Sequence, residues 1–493
     1  MSPQVDRCEL APGLSVSRII TGLWQIADME RAGDLLDRKA TASAMGTYVD
    51  MGLTSFDMAD HYGSAEEIAG HFAKGRNDVQ LLTKWVPEPG PLTEKDVRAG
   101  VKRALKRMNR DTIDLIQFHA WSYTDPSWLD ALFYLDELKK EGVIHHIGLT
   151  NFDVAHLRMA VHSGIEIVSN QVCFSLLDQR PSAAMFDFCQ QNNIKLLAYG
   201  TLAGGFLSER WLDSPEPELD TLNTWSQMKY RRFIDVAGGW DKFQNLLQTL
   251  NTVANRKEVS ISNVASRYIL EQPAVGSVII GARLTESEHV KDNLRLFEFS
   301  LDQESQSEIE VAIAKLTPIH GDCGDEYRKP PFLTASGDLS HHIETIPPPY
   351  ETRHRAGGKT VALSGTVWET MAGYSRAVRQ GDKIWVSGTT ASHGSRLIGG
   401  SDPVSQTHFI IDKIEGAIQS LGGALAQVVR TRIFVSSLDL WEAVARTHGE
   451  RFKEILPANT LVQASLVGEE YLVEMEAEAV VVSNKSSSIP GVE

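Results

Sequence analysis

Eight short β-rich runs, each followed by a longer stretch with helical apolar spacing, recur over the first 285 residues and leave few architectures open. They span residues 17–24, 54–59, 79–85, 113–119, 144–150, 165–171, 194–200 and 275–281. Between them, residues 93–108 place Val97, Val101, Ala104, Leu105 and Met108 on one helical face, and residues 128–141 do the same with Leu129, Leu132, Phe133 and Leu135. Parallel strands need crossovers long enough to hold a helix. Eight such units predict an α/β fold, a closed (β/α)8 TIM barrel rather than an open sheet.

In such a barrel the chemistry sits at the C-terminal strand ends. The second run leads through FDMADHYG to Asp57 and Tyr62, the third ends at Lys84 in LLTKW, and the fourth ends at His119 in QFHAW. A phenol titrates near 10, so proton transfer at neutral pH requires a neighbouring cation to stabilise the phenolate. Lys84 supplies the cation, Asp57 keeps a buried ammonium charged, and His119 hydrogen-bonds a carbonyl oxygen or relays its proton. The set describes acid/base work at a carbonyl, with no nucleophile motif beside it. The insert 208–240, rich in Pro and aromatics, leaves the seventh strand on the same rim; a ligand-covering lid and a packed surface loop are both open readings.

These segments, with GLWQ at 22–25, IGLTNF at 147–152, SNQVCFSLL at 169–177, LAYGTLAGGFL at 197–207 and IIGAR at 279–283, resemble the aldo-keto reductase superfamily over about residues 10–320. The resemblance implies that Tyr62 is the general acid/base, tuned by Lys84 and Asp57, that His119 orients the carbonyl, and that a nicotinamide cofactor donates hydride. It implies further that Thr150, Asn151 and Gln171 hold the carboxamide, Tyr199 stacks on the nicotinamide, Gly200 and Leu202 meet the pyrophosphate, and Asp292 and Asn293 meet the adenine. Arg283 stands where the family carries a cation for the 2′-phosphate. His289 replaces a second Arg found in many members, which weakens that clamp. NADPH/NADP is therefore expected over NAD. Trp24, Trp85, Trp121 and Tyr123 lie beside the tetrad positions and are expected to wall a pocket for an apolar or aromatic small-molecule carbonyl substrate.

Composition narrows the partners. Lys and Arg number 48 against 64 Asp and Glu, a formal charge of −16, which argues against a nucleic-acid binder or a polybasic membrane-surface protein. No stretch approaches 18 uninterrupted apolar residues, and no basic patch with an apolar run opens the chain, so neither a membrane nor a secretory route is expected and a cytoplasmic location follows by default. Cys8, Cys173, Cys189 and Cys323 have no metal-ligand spacing; they read as reduced structural thiols, and no metal is expected.

Residues 321–360 break hydrophobic periodicity and contain Pro347, Pro348 and Pro349 in succession, which predicts a linker between a barrel at 1–320 and a second domain at 361–485, with a flexible tail at 486–493. His320 at its edge and Asp322, Cys323 and Asp325 in it read as a solvated polar stretch rather than a metal site. The second domain reads as α+β: strands at 374–379, 383–388, 428–435, 461–466 and 471–482, helices at 404–421 and 439–455. GYSRAVRQGDKIWVSGTT, VVRTRIFV, PANTLV and LVEMEAEAVV resemble the Rid (YjgF-like) family, whose fold is chorismate-mutase-like, over about residues 370–482. The resemblance implies a homotrimer with ligand clefts between subunits. Asn459 stands where the active branch has a carboxylate-gripping Arg, while Glu474 matches the acidic position used for water, so binding or trimer formation is preferred to hydrolysis of enamines or imines. The expectation is an NADPH-dependent carbonyl reductase carried on a Rid-like domain. The alternatives are a nicotinamide-binding regulatory protein and a bifunctional fusion whose second domain hydrolyses imines.

Overall fold

The computed structural model describes residues 5–27, 36–181, 183–285, 289–329 and 346–481. A hairpin, β1 (Arg7–Ala11) and β2 (Leu14–Ser17), precedes eight parallel strands: β3 (Ile19–Gly22), β4 (Ser55–Asp57), β5 (Gln80–Trp85), β6 (Ile113–Phe118), β7 (Ile144–Thr150), β8 (Ile167–Cys173), β9 (Lys195–Tyr199) and β10 (Val275–Gly281). They close into a barrel in which β10 pairs with both β3 and β9. Every strand expected from the sequence is present. The hairpin packs Leu10, Leu14 and Val16 with Leu82, Leu115 and Leu197 from the barrel strands. The helix Glu94–Met108 starts at a Thr93 cap and ends at left-handed Asn109, and buries the face its spacing predicted.

The second domain is a seven-stranded sheet in the order β11-β12-β13-β14-β19-β17-β18, formed by β11 (Glu351–Arg355), β12 (Lys359–Leu363), β13 (Ala377–Gln380), β14 (Lys383–Thr390), β17 (Val428–Val435), β18 (Ala458–Gln463) and β19 (Val473–Val480). A small ladder of β15 (Ser392–His393) and β16 (Arg396–Leu397) stands beside it. The β17/β18 pair is parallel and the other neighbours are antiparallel. Along β19, Val473, Met475, Ala477 and Ala479 are buried while Glu474, Glu476 and Glu478 take the opposite, more open face.

The expected linker is corrected at both ends. Residues 351–355 and 359–360 belong to strands of the sheet; their polar alternation, with all of β11 exposed, is that of an edge strand. Residues 321–329 lie on the barrel with Cys323, Asp325 and Glu326 buried, so the stretch is solvated only in part, at Gly321, Asp322 and Lys329. The 486–493 tail lies outside the described residues.

The helix Pro403–Ser420 is buried nearly all round, including Gln406, His408, Asp412 and Lys413. One side covers its own sheet and the other meets the barrel helix Val154–His162, so its polar residues must find partners in both domains. Asp412 bonds His156, Asp402 forms a two-pronged ion pair with Arg158, and Gln419 bonds Thr124. His393 reaches Asp130 at 2.7 Å, and Arg396 lies over the Phe133 ring.

Candidate active site

Alternation along β5 points Lys84 into the barrel. Its ammonium donates to Asp57 Oδ2 at 2.6 Å and to the Met58 carbonyl at 2.9 Å, and both ion-pair side chains are buried. Burial pulls the lysine pKa down, but Asp57 and Tyr62 outweigh it and the pKa lies above its ordinary value. The Tyr62 ring centre is 4.8 Å from Lys84 Nζ. Burial raises this phenol, and the charge of Lys84 opposes the rise, the direction proton transfer requires.

His119 closes the set from the end of β6. Burial, then the charge of Arg328, pushes its imidazole down to about 3, so the ring is neutral at physiological pH. Its Nδ1 faces the Thr150 carbonyl at 3.4 Å, and its buried Nε2 has no hydrogen-bond partner among the described residues. Asp57, Tyr62, Lys84 and His119 all line one cavity of about 660 Å³. With its one proton on Nε2, the neutral ring can donate to a substrate carbonyl oxygen, and Nδ1 then meets the Thr150 carbonyl without a hydrogen bond.

The ten positions expected to hold a dinucleotide line the same cavity: Thr150, Asn151, Gln171, Tyr199, Gly200, Leu202, Arg283, His289, Asp292 and Asn293. Tyr199 donates its hydroxyl to Asn151 Oδ1 at 2.8 Å. Gly200 has φ +76°, and a Cβ there would lie 2.1 Å from the Tyr230 hydroxyl, so only glycine keeps this turn open. Asp292 is held by Ser260 and Asn263. Gln171 has a double role: its amide nitrogen donates to Asp57 Oδ1 at 2.8 Å and to Gln117 Oε1 at 2.9 Å, which leaves its own Oε1 to face a ligand.

Two of the four aromatic wall residues are corrected. Trp24 and Trp121 line the cavity; Trp85 and Tyr123 do not. Because Lys84 points inward, Trp85 next to it points outward, against Gly100 of the neighbouring helix, where an added Cβ would lie 2.5 Å from the indole nitrogen. Tyr123 stacks face to face on His156 at 3.4 Å, below the second domain. The insert 208–240 is a packed wall of the cavity: Trp211, Trp225, Ser226, Lys229 and Tyr230 line it, and Trp211 and Trp240 pack on Phe206.

Sequence reading missed Gln117, Lys229, Tyr327 and Arg328. Gln117 donates to Asp57 Oδ1 at 3.1 Å; a buried-run amide two residues before His119, in IDLIQF, was the available signal. Tyr327 lines the cavity, accepts from Lys229 Nζ at 2.5 Å and lies 5.6 Å from the His119 ring. It comes from a stretch without periodicity, so no pattern marked it.

In the second domain, Asn459 and Glu474 do not meet within one chain. Asn459 Nδ2 donates to the buried Thr431 hydroxyl at 2.9 Å, which also bonds His448 on the helix side of the sheet. Glu474 is on the opposite face beside Gly388; burial, then Glu476, raises its carboxyl.

Residues 18–314 match the sequence profile of the Aldo/keto reductase family. The chain belongs to that family. An uncharacterized oxidoreductase of Bacillus subtilis, YqkF, is 28% identical to this reductase over 273 residues, 52% of this chain and 82% of the relative. The glycerol dehydrogenase of Gluconobacter oxydans shares the fold, with 20% identity, a TM-score of 0.54 and coverage of 65% of this chain and 98% of its own. Residues 365–481 match the profile described as Endoribonuclease L-PSP, and the C-terminal domain of the reductase is of this YjgF type. A Mycobacterium tuberculosis member of the YjgF/YER057c/UK114 family is 40% identical over 25% of this chain and 99% of its own, with a TM-score of 0.23.

The family uses a nicotinamide cofactor, and the residues present fit one. The unpartnered His119 Nε2 and a second buried oxygen without a partner among the described residues, Gln25 Oε1, lie on the cavity wall, and Gly200 keeps the wall open where a side chain would close it. Among the described residues no group of His, Cys, Asp or Glu is placed to hold a metal ion, and no helix is long and apolar enough to cross a membrane.

Proposed function

We propose that this aldo/keto reductase is an NADPH-dependent enzyme that converts a small aldehyde or ketone into an alcohol, with Tyr62 as proton donor. The observation that carries the reading is the convergence of Asp57, Tyr62, Lys84 and an unpartnered His119 Nε2 on one cavity that is also lined by the ten residues expected to meet a dinucleotide. A bound reduced nicotinamide supplies a hydride to the carbonyl carbon. Tyr62 gives its proton to the carbonyl oxygen, Lys84 stabilises the phenolate left behind, and Asp57, gripped by Gln117 and Gln171, holds Lys84 in place. His119 fixes the oxygen from its neutral ring. Trp24 and Trp121 give the substrate end aromatic walls, and Arg283 in the cavity supports NADPH over NADH.

For the C-terminal domain we favour assembly, as a trimer, or ligand binding over imine hydrolysis. The commitment of Asn459 to Thr431 supports this reading, since no guanidinium replaces it at that position. Titration of NADPH and NADH by intrinsic fluorescence, followed by NADPH oxidation against a panel of aldehydes and ketones, tests the function: tighter NADPH binding with carbonyl-dependent oxidation is expected, and absence of both overturns it.

A further inference from the structure

The residues that join the two domains continue, without a gap, into the cavity. His156 is buried between two carboxylates: Nδ1 lies 2.7 Å from Asp153 Oδ1, and Nε2 lies 2.9 Å from Asp412 Oδ2 on the C-terminal domain. Both nitrogens face acceptors, so the ring is held as an imidazolium. The other oxygen of Asp412 accepts from Arg451 at 2.7 Å, which fixes the carboxylate on its own domain. The His156 ring lies 3.4 Å from the Tyr123 ring at an interplanar angle of 7°. The Arg328 guanidinium sits 4.4 Å from the centre of that same Tyr123 ring.

Arg328 then reaches the site. It donates to the Asn151 carbonyl at 2.6 Å and to the Ala120 carbonyl at 3.2 Å, tying together the residues that follow Thr150 and His119 at two neighbouring strand ends. The turn that brings it there depends on Gly324, with φ +82°, where a Cβ would come within 2.3 Å of the Asn151 carbonyl oxygen. The next residue back, Tyr327, is bonded to Lys229 and lies 3.3 Å from the Tyr199 hydroxyl, which in turn holds the Asn151 side chain. Segment 321–329 is pinned separately by the buried Glu326 to Arg180 ion pair at 2.9 Å.

We propose that the C-terminal domain is a positioning element for the reductase site: Asp412 fixes His156 and Tyr123, these seat Arg328, and Arg328 sets the Asn151 and Tyr327 contacts at the nicotinamide end of the cavity. The inference rests on the reading of that cavity as a dinucleotide site. It gives the fusion a physical purpose within one chain, whatever the second domain binds or assembles. Asp412 touches no reacting atom, so its effect falls on dinucleotide affinity and on KM more than on kcat.

The test is a double-mutant cycle in the full-length protein, Asp412→Asn and Arg328→Gln, read by NADPH titration and by steady-state kinetics. Each single change is expected to weaken NADPH binding at least about fivefold, and the double variant to be little worse than the worse single, because both break one chain of contacts. Arg158→Gln breaks the neighbouring interdomain ion pair, which among the described residues makes no direct contact with Tyr123 or Arg328, and is expected to leave NADPH affinity within about twofold. Unchanged affinity in Asp412→Asn, independent multiplying effects in the double variant, or an equal loss in Arg158→Gln overturns the proposal. If Asp412→Asn does not fold, His156→Gln replaces it in the same cycle. A wild-type protein that binds no dinucleotide overturns the reading of the cavity as well, which separates the two failures.

Discussion

Asp57 and Lys84 form a fully enclosed ion pair, 2.6 Å apart, at the floor of the cavity. Desolvation would pull the ammonium down, and Asp57 is the largest force holding it up. In Asp57→Asn the Gln117 and Gln171 amides can still bond the side-chain oxygen, which turns an amide N–H toward Lys84 where a carboxylate oxygen stood, so the counter-charge and its acceptor both go. Lys84 then loses its proton at lower pH, and the alkaline limb of the kcat profile is expected to move down by about 1–3 pH values. A kcat profile superimposable on wild type would contradict the tuning role.

Trp85 and Trp121 separate packing from recognition. Trp85→Ala removes a buried side chain that fills the space against Gly100 and Phe118, and should cost about 3–5 kcal/mol of stability, read as a lower Tm, with KM for carbonyl substrates unchanged at temperatures where the variant is folded. Trp121→Ala removes a cavity wall 4.6 Å from the His119 ring and should raise KM severalfold for apolar carbonyl substrates. Equal effects of the two on KM would return Trp85 to the pocket.

The His156 imidazole, although burial pulls it down, is raised by Asp153 and Asp412 to about 9 from an ordinary value near 6.5. The groups around it include those two carboxylates, Asp322 and Arg328 on the barrel side, and Arg451 and His408 from the second domain; burial, then Arg451, holds His408 down at about 4. A group raised on folding contributes stability that is complete below its unfolded pKa and is lost as pH climbs through the folded one. Thermal denaturation between pH 6.5 and 9.5 is therefore expected to show a fall in Tm for wild type that His156→Gln largely lacks. A parallel fall in both proteins would exclude this ring as its source.

The barrel was legible in the sequence because each strand buries two faces and reads as a short apolar run, and because the motif residues stand at strand ends, where alternation fixes their direction. The same alternation, applied to LLTKW, would have turned Trp85 outward. Tyr123 carried no such signal, since its partner His156 and the domain above it lie far along the chain. Strand β11 was hidden by its wholly polar, exposed ETRHR sequence, and Tyr327 and Arg328 by a segment that earns its place through hydrogen bonds to backbone carbonyls rather than through periodicity. The buried polar residues of the helix Pro403–Ser420 make sense only with both domains in view.

Tyr62→Phe tests the central claim most directly. The change keeps the ring against Trp24 and removes the one hydroxyl assigned to proton delivery. Single-turnover NADPH oxidation by an aldehyde that the wild type reduces should slow by about 10²–10⁴-fold while NADPH affinity stays within about twofold. Oxidation at the wild-type rate, with the nucleotide still bound, would contradict the assignment of Tyr62 as the proton donor.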